Sequence, residues 1–149
     1  MDFSFIPEEC VGFQARAAAR AAIKLLDERL QAVGLRATQF SVLIAVNQQP
    51  EASVATLARA LDLEASALLR NLKVLKRDGL VISNGKRGRT GQALLLTDEG
   101  TALLKKGARV WRKTQDEIAA ELGAKTNRTR QALRDVERAA RALQQKEIA

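Results

Sequence analysis

Three features of the sequence predict a mainly α-helical protein with one small β-hairpin. Two short helical segments, joined by a tight turn, lie between residues 53 and 78. A basic, glycine-rich hairpin follows over residues 80–96, and Thr97-Asp98-Glu99 then provides a cap and two acidic residues for the start of another helix. This order is that of a winged helix-turn-helix, in which one helix enters the DNA major groove and the hairpin, or wing, lies beside it.

The charge of the chain favours an anionic partner. A net charge of +8 and an isoelectric point near 10.3 are typical of proteins that bind nucleic acid; a membrane surface and an acidic protein are the weaker alternatives. A composition rich in Ala and Arg that only gives a basic, solvated surface is the other explanation. Apolar residues make up 46% of the chain, which is enough for a core.

The residue types that are missing exclude several kinds of chemistry. The one cysteine, Cys10, cannot form an intrachain disulfide or a cysteine-based zinc site, and the lack of histidine removes the usual general base. We therefore expect no cofactor and no enzymatic activity. No apolar run approaches the ~18 residues of a membrane span, and the first residues do not resemble a signal peptide, so we expect a cytoplasmic protein without a membrane partner.

The N-terminal segment, residues 1–34, predicts one long helix. Pro7-Glu8-Glu9 suits a first helical turn, and Gly34 suits the position after the last one. Apolar residues recur along it at roughly helical spacing, at Phe13, Ala17, Ala21, Leu25 and Leu30.

Residues 35–100 predict the winged helix-turn-helix. Thr38 is the expected cap of a second helix over residues 39–48, and Ser53 is the expected cap of a third. The residues of these two helices that we expect to be buried are Phe40, Leu43, Ile44, Val46, Leu57, Ala58 and Leu61.

The fourth helix is the expected DNA-reading helix. Residues 62–65 form the turn before it, Ser66 is its expected cap, and Gly79 ends it after Asp78. Three leucines at helical spacing hold one side to the core, namely Leu68, Leu72 and Leu75. The opposite side presents Ser66, Ala67, Leu69, Arg70, Asn71, Lys73 and Arg77.

Different side chains of this helix suit different parts of DNA. Arg70 can read guanine with two hydrogen bonds, and Asn71 can pair with adenine if it points into the groove. Ser66 and the first backbone N–H groups of the helix can bind phosphate. The phosphate anchors expected farther along are Lys73, Lys76 and Arg77. An ordinary surface helix with a polar face explains the leucines but not the turn and the basic hairpin around them.

The hairpin is expected to have strands over residues 80–82 and 92–96 and a loop over residues 84–91. The loop, NGKRGRTG, carries its cations, Lys86, Arg87 and Arg89, among three glycines. Glycines allow the backbone of a tight turn, and long cationic side chains on its tip can enter a minor groove. A nucleotide-binding phosphate loop is excluded by the spacing and by the order helix–strand, and a solvated charged turn is the remaining alternative.

The last segment, residues 101–149, predicts two helices. Gly123 ends the fifth helix of the chain and Thr126 opens the sixth. Their apolar positions are Leu103, Leu104, Val110, Trp111, Ile118 and Leu122, then Leu133, Val136, Ala140 and Leu143. Such stripes on both terminal segments would leave a large apolar patch unless they pack together, and packing against a second copy is favoured over packing within a monomer.

Three stretches of the chain resemble the MarR family of bacterial transcription regulators. They are VGLRATQFSVL, LARALDLEASALLRNLKVLKRDGLV and GRTGQALLLTDEG, and the resemblance extends over roughly residues 10–146. It implies a homodimer of winged helix-turn-helix protomers that binds double-stranded DNA at a pseudo-palindromic operator. It also implies, in many members, release by a small phenolic or lipophilic effector or by an oxidant.

The wing and the reading helix depart from the family's pattern. The family's wing carries an Asp-Arg-Arg-like triplet, and the matching positions here are Gly88, Arg89 and Thr90, of which Arg89 keeps the basic character. A polar residue is usual where this chain has Leu69, which can contact a thymine methyl group instead. The full set of candidate DNA contacts is Thr38, Ser66, Ala67, Leu69, Arg70, Asn71, Lys73, Arg77, Lys86, Arg87, Arg89 and Thr90.

Two kinds of signal are open for such a regulator, an oxidant sensed by Cys10 or a small-molecule effector. Cys10 lies near a helix start, where the helix dipole favours a thiolate, but a small packed residue is the more common role for such a cysteine. The resemblance implies an effector pocket between the first and fifth helices and the DNA-binding part. Its candidate lining residues, each equally explained by core packing, are Phe13, Ala17, Phe40, Leu104, Val110 and Trp111.

The sequence therefore predicts a homodimeric repressor, or a dual regulator, that binds an operator and is released by a small molecule. A nucleoid-type DNA-binding protein of low specificity is the alternative that Leu69 and the altered wing favour. A redox-sensing regulator acting through Cys10, and an antagonist that dimerises with another regulator, are further alternatives. 

Overall fold

The computed structural model describes residues 3–88 and 91–148, with side chains described for residues 3–84 and 93–146. These residues form seven α-helices and one two-stranded antiparallel sheet, which confirms the predicted mainly α-helical fold with a hairpin wing. The helices are α1 (Ile6–Glu9), α2 (Val11–Leu30), α3 (Ala37–Gln48), α4 (Val54–Leu61), α5 (Ala65–Arg77), α6 (Asp98–Leu122) and α7 (Thr126–Ile148), the strands are β1 (Val81–Gly88) and β2 (Gly91–Leu96), and short 3-10 turns span Gln31–Val33 and Gly123–Lys125.

The chain forms two compact units. The central unit is residues 26–112, and the terminal unit combines residues 1–25 with residues 113–149. The predicted functional division at residues 34 and 100 remains a prediction. Among the described residues, no helix is long and apolar enough to cross a membrane.

Helix α3 lies at the centre of the core of the central unit. Residues 42–46 of this helix are all apolar, so burial there is not confined to one stripe. Val42 and Ala45 are buried, although they were not among the four positions of this helix that were predicted to be buried. One of those four, Ile44, is half-buried. The remaining buried residues of this unit are Leu30, Leu35, Ala37, Phe40, Leu43, Val46, Leu57, Ala58, Leu68, Leu72, Leu75, Val81 and Leu94.

The predicted cap of α3 is wrong. The helix begins at Ala37, and its N–H donates to a carboxylate oxygen of Asp27, ten residues earlier in the chain. The Arg36 N–H donates to Gln39 Oε1 over 2.9 Å. Thr38 therefore lies exposed in the first turn, where no cap is needed.

The predicted cap of α4 is confirmed and the predicted cap of α5 is wrong. Ser53 caps α4, since its hydroxyl accepts the Thr56 N–H at 3.2 Å. Helix α5 begins before Ser66, because the Glu64 carbonyl already accepts the N–H groups of Ala67 and Leu68. Ser66 thus lies in the first turn of α5 with its side chain exposed.

The hairpin extends farther than predicted. Its pairs run from Val81 opposite Leu96 to Gly88 opposite Gly91, so most of the predicted loop over residues 84–91 is strand. The pairing is irregular between Asn84 and Arg87, as at a β-bulge. The sequence did not predict this part of the strands because its residues are polar or glycine. Backbone pairing requires no apolar pattern.

Within the central unit, helix α6 packs closely against its neighbours at two glycines. A Cβ atom at Gly100 would lie 2.0 Å from the Leu80 carbonyl oxygen, and one at Gly107 would lie 2.8 Å from the Phe40 ring. Thr97 caps the helix as predicted, since its hydroxyl accepts the Gly100 N–H at 2.9 Å. The same hydroxyl donates to the Gly79 carbonyl, which fixes the end of the hairpin to the end of α5.

The first helix of the terminal unit is interrupted, contrary to prediction. Cys10 has an extended backbone (φ −80°, ψ 109°) that separates α1 from α2. Gly34 (φ 77°) and Gly123 (φ 55°) end their helices as predicted.

The terminal unit exposes many large apolar side chains. Leu133 and Leu143 of α7, predicted at core spacing, are 51% and 62% exposed in the single chain. The others in this unit are Phe3, Phe5, Ile6, Val11, Phe13, Ile23 and Val136. This surface is apolar without being part of a core of the single chain.

Candidate nucleic-acid interface

Helix α5 is held to the core by one side. Leu68, Leu72 and Leu75 are at most 2% exposed, which confirms the packing predicted from their spacing. The central unit therefore fixes which side of the helix faces solvent.

A cationic stripe runs along the opposite side of α5. Ser66, Arg70, Lys73 and Arg77 follow at intervals of four, three and four residues, and all four are exposed. At 100° per residue they lie within about 60° of one another around the helix, directly away from the three leucines. The stripe from Arg70 to Arg77 is about 10 Å long at 1.5 Å per residue, so three cations can reach one stretch of a groove.

Three neighbours of this stripe have different surroundings. Leu69 is 53% exposed beside it, an apolar side chain on an otherwise polar surface. Asn71 is half-buried and its amide donates to the Ala67 carbonyl over 3.0 Å. Its side chain is thus hydrogen-bonded to its own helix, as short polar side chains inside a helix often are to the carbonyl four residues earlier. Ala67 is half-buried next to the stripe.

Arg77 and Lys76 each have a partner near the end of α5. Arg77 Nε donates to Asp78 Oδ1 over 2.8 Å. This hydrogen bond, together with the charge of Asp78, raises the pKa of Arg77 above its ordinary value. Lys76 Nζ donates to the Ser83 hydroxyl on β1, although the sequence placed it among the phosphate anchors.

Two cations of the wing lie on the described part of β1. Lys86 and Arg87 lie on the last residues of that strand, after the irregular pairing. Arg89 and Thr90 lie outside the described residues. Thr38 lies at the exposed start of α3, on another element than the cationic stripe.

Comparison with known proteins identifies the family. The sequence model of the MarR family matches residues 33–90. The fold is similar to a crystal structure of the Mycobacterium tuberculosis transcriptional regulator MosR, with 33% identity, a TM-score of 0.80, and coverage of 91% of this chain and 98% of that one. This chain belongs to the MarR family. It is a transcriptional regulator and not an enzyme.

Two further solved structures show the same fold. MosR in complex with DNA has 33% identity and a TM-score of 0.77, with the same coverage of 91% and 98%. Wild-type MarR from E. coli, in its apo form, has 24% identity and a TM-score of 0.72 over 84% of this chain and 94% of that one. No curated protein sequence matches the chain significantly.

Sequence reasoning missed the link between Glu51 and the wing of this MarR-family chain. Glu51 adopts a left-handed backbone (φ 66°) after α3, and its N–H donates to the Leu94 carbonyl of β2 over 3.2 Å. Its carboxylate accepts the Asn84 amide of β1 at 3.1 Å. Pro50 indicates a turn at this place, but no local pattern predicts a left-handed glutamate or its distant partner.

The predicted effector site remains a prediction, and two cavities that the described residues form lie elsewhere. One cavity of about 270 Å³ lies between α3 and α4, and another of about 270 Å³ lies between α2 and α7. None of the six candidate residues lines either one: Phe40 is buried, Phe13 and Ala17 are exposed, and Leu104, Val110 and Trp111 are half-buried.

Cys10 is half-buried at the junction of α1 and α2. Its redox role remains a prediction. The described residues contain no group of three or more side chains that could hold a metal ion.

Proposed function

We propose that this regulator is a homodimeric repressor that binds a pseudo-palindromic operator, with α5 in the major groove of each half-site. The observation that carries the proposal is the cationic stripe of Ser66, Arg70, Lys73 and Arg77 opposite the three buried leucines. The DNA complex of MosR, a relative at 33% identity, supports the same partner for this chain.

The stripe divides into a reading part and an anchoring part. Arg70 lies nearer the start of α5, the end that contacts base edges in helix-turn-helix proteins, and its side chain can bind guanine O6 and N7. Lys73 and Arg77 bind phosphates, which fix the register of the helix on the duplex. Leu69, exposed beside them, contacts a thymine methyl group.

The wing contributes cations at a distance from α5. Lys86 and Arg87 lie on β1 beyond its regular pairing, and Arg89 is the next cation in the sequence. Long cations of this kind bind in or beside a minor groove, where the negative potential is strongest in narrow tracts. Thr38 and Thr90 complete the proposed contacts as phosphate ligands through their hydroxyl groups.

The terminal unit supports a homodimer. Its exposed side chains include Val11 and Ile23 on α2 and Leu133 and Leu143 on α7, an apolar surface that monomers seldom leave in water. A two-fold partner covers the same surface on both copies and sets two α5 helices about one DNA turn apart, which matches a pseudo-palindrome.

Release from the operator by a small lipophilic or phenolic effector is a further part of the proposal. It predicts that such a molecule lowers DNA affinity at concentrations that also raise the melting temperature of the free protein, because a ligand stabilises the state it binds. Because a regulator acts where its DNA is, we also propose that the protein is cytoplasmic.

A DNA-binding protein of low specificity is the second candidate function. The observation that favours it is Leu69, an apolar residue 53% exposed on the proposed reading face. Apolar contacts to thymine methyl groups discriminate fewer bases than paired hydrogen bonds do.

Fluorescence anisotropy on the intergenic DNA beside the protein's own gene tests both candidates. A scrambled duplex of the same composition serves as competitor, at several salt concentrations. A preference of about a thousandfold or more establishes a specific regulator, whereas equal and steeply salt-dependent affinities establish the low-specificity protein.

A matched pair of variants assigns the binding to α5. The double change Arg70→Glu with Lys73→Glu removes binding, because it reverses two charges on the stripe. Arg128→Glu with Arg130→Glu makes the same change of net charge on α7, where both side chains are also exposed. If both pairs weaken binding equally, net charge and not the stripe explains the affinity.

A further inference from the structure

The base of the wing is held on both of its faces. Ser83 and Asn84 are neighbours on β1, and neighbours on a strand point to opposite faces of a sheet. On one face the Ser83 hydroxyl accepts from Lys76 of α5. On the other face the Asn84 amide donates to the carboxylate of Glu51 over 3.1 Å. We call these two bridges the wing clamp.

The Glu51 side of the wing clamp uses an unfavourable backbone. A residue with a Cβ atom rarely adopts φ 66°, and the described chain has only one other such residue, Asp62. The strained conformation brings the Glu51 N–H to the Leu94 carbonyl and its carboxylate to Asn84. Strain of this kind persists where several contacts fix it and is concentrated at functional sites.

The clamp lies at the last regular point of the hairpin. Asn84 pairs with Ala93, and the pairing becomes irregular immediately afterwards. Beyond this point lie the basic residues Lys86 and Arg87. At about 3.3 Å per residue, Gly88 lies roughly 13 Å beyond Asn84, so a tilt of about 10° at the base displaces it by roughly 2 Å. Such a displacement exceeds the tolerance of a hydrogen bond to phosphate.

We propose that Glu51 and Lys76 are positioning residues for DNA binding. They fix the angle between the wing and α5, so that the cations of both elements meet the duplex together, and neither residue is itself a DNA contact. This inference rests on the proposed function, and it assigns Lys76 a role other than the phosphate anchor predicted from the sequence.

Two variants at Glu51 separate positioning from charge. Glu51→Gln and Glu51→Asn remove the same charge and introduce the same amide group, but Asn is one methylene shorter and does not reach Asn84. Asn also tolerates the left-handed backbone, so the turn itself is retained. On charge alone, both variants bind DNA equally and no more weakly than the wild type, because both lose a negative charge near the phosphates.

The proposal predicts a difference between these two variants. Glu51→Gln binds the operator duplex as tightly as the wild type, whereas Glu51→Asn binds about fivefold more weakly, the effect of one net hydrogen bond. Thermal unfolding shows both variants folded at the assay temperature, with Glu51→Asn melting slightly lower because it lacks the hydrogen bond. Equal affinities of the two variants overturn the role of Glu51.

Lys76 and Ser83 are tested by a double-mutant cycle. If Lys76 positions the wing, Lys76→Met and Ser83→Ala weaken binding by similar factors, and the double variant is no weaker than either. If Lys76 instead binds a phosphate, Lys76→Met reduces the salt slope by about 0.9 and Ser83→Ala has no effect. The second result overturns the role of Lys76.

Hydrogen exchange in the DNA-free protein keeps this test independent of the regulatory function. The backbone amides of β1 and β2 exchange faster in Glu51→Asn than in Glu51→Gln if the clamp restrains the hairpin. Identical exchange overturns the clamp whatever the protein binds. A wild type that binds no duplex overturns the proposed function, even where the exchange shows the expected difference, and the positioning role for DNA then fails with it.

Discussion

At the scale of single residues, close approach of backbone atoms sets the strictest limits on this molecule. Gly100 lies in the first turn of α6 against the Leu80 carbonyl, where a Cβ atom would come within 2.0 Å of the oxygen. The Leu80 carbonyl cannot withdraw freely, because it accepts the Thr97 N–H at 3.1 Å. The junction between the hairpin and α6 therefore requires glycine.

Gly100→Ala should destabilise the protein by about 1–3 kcal/mol, the usual effect of forcing an extra methyl group into a packed site. Gly12→Ala is the control, since its Cβ would meet only Cys10 Sγ, at an ordinary 3.7 Å. Thermal unfolding compares the two. A Gly100→Ala protein as stable as the wild type would show that α6 can move away from Leu80.

Arg70 and Lys73 should differ in what their loss does to DNA recognition. Arg70→Ala relaxes discrimination at one base pair, at a cost of roughly 1–3 kcal/mol for the operator. Lys73→Ala weakens all duplexes alike and lowers the salt slope by about 0.9. Binding to operators changed at one position at a time distinguishes them. If both variants weaken all sequences equally, Arg70 is an anchor and not a reader.

Single-residue roles were the part of the site least accessible from sequence. Asp27 accepts the first N–H of α3, and the N-cap residue of α5 is Glu64, which makes no side-chain cap hydrogen bond. Thr38 and Ser66, by contrast, have the residue types that local rules favour. Asn71 has the right type for reading adenine, yet its amide binds the Ala67 carbonyl. Local rules describe what a residue can do, and distant partners decide which possibility is used.

At the scale of elements, α5 shows how one helix serves packing and recognition together. Leu72 is 2% exposed in the core, while Leu69, one turn earlier in the chain, is 53% exposed beside the cationic stripe. Identical residue types on the same helix thus have opposite surroundings, which allows a controlled comparison.

Leu72→Ala should lower the free energy of unfolding by about 2–5 kcal/mol, because it leaves a cavity among buried leucines. Leu69→Ala should change it by no more than about 0.5 kcal/mol and should instead alter DNA binding. Denaturant unfolding and anisotropy measure the two effects. A strongly destabilised Leu69→Ala protein would contradict the orientation of α5.

The helical elements were predictable and the outer part of the wing was not. Helical spacing of leucines placed α5 correctly, because burial of one side follows directly from that period. The strands beyond Asn84 were predicted as loop, since Gly85, Lys86 and Gly88 have no alternating apolar pattern. Their pairing comes from backbone hydrogen bonds that continue the ladder started by Val81.

At the scale of the whole molecule, the terminal unit carries an exposed apolar surface that the proposed homodimer buries. The α7 positions that were predicted to be core are exposed in the single chain. The predicted burial therefore holds only if a second copy covers these positions. The opposite side of α7 is polar and carries the ion pair of Arg138 with Asp135 at 3.4 Å. This asymmetry directs association to one side of the helix.

Leu133→Glu should convert the dimer to a monomer at micromolar concentration, because it places a charge within the apolar surface. Gln145→Glu introduces the same charge on the polar side of α7 and should leave the dimer intact. Sedimentation velocity reports both. A wild-type protein that is monomeric, or a Leu133→Glu protein that remains dimeric, would contradict the proposed interface.

Hydroxyl-radical footprinting of the wild-type protein on its bound duplex tests the central proposal most directly, since it reports both the contact surface and the symmetry. Two protected regions related by a two-fold axis, with centres about 10 base pairs or a multiple of that apart, are expected from two α5 helices in successive major grooves. Continuous protection without symmetry, spreading along the duplex as protein is added, would contradict a dimer that reads an operator.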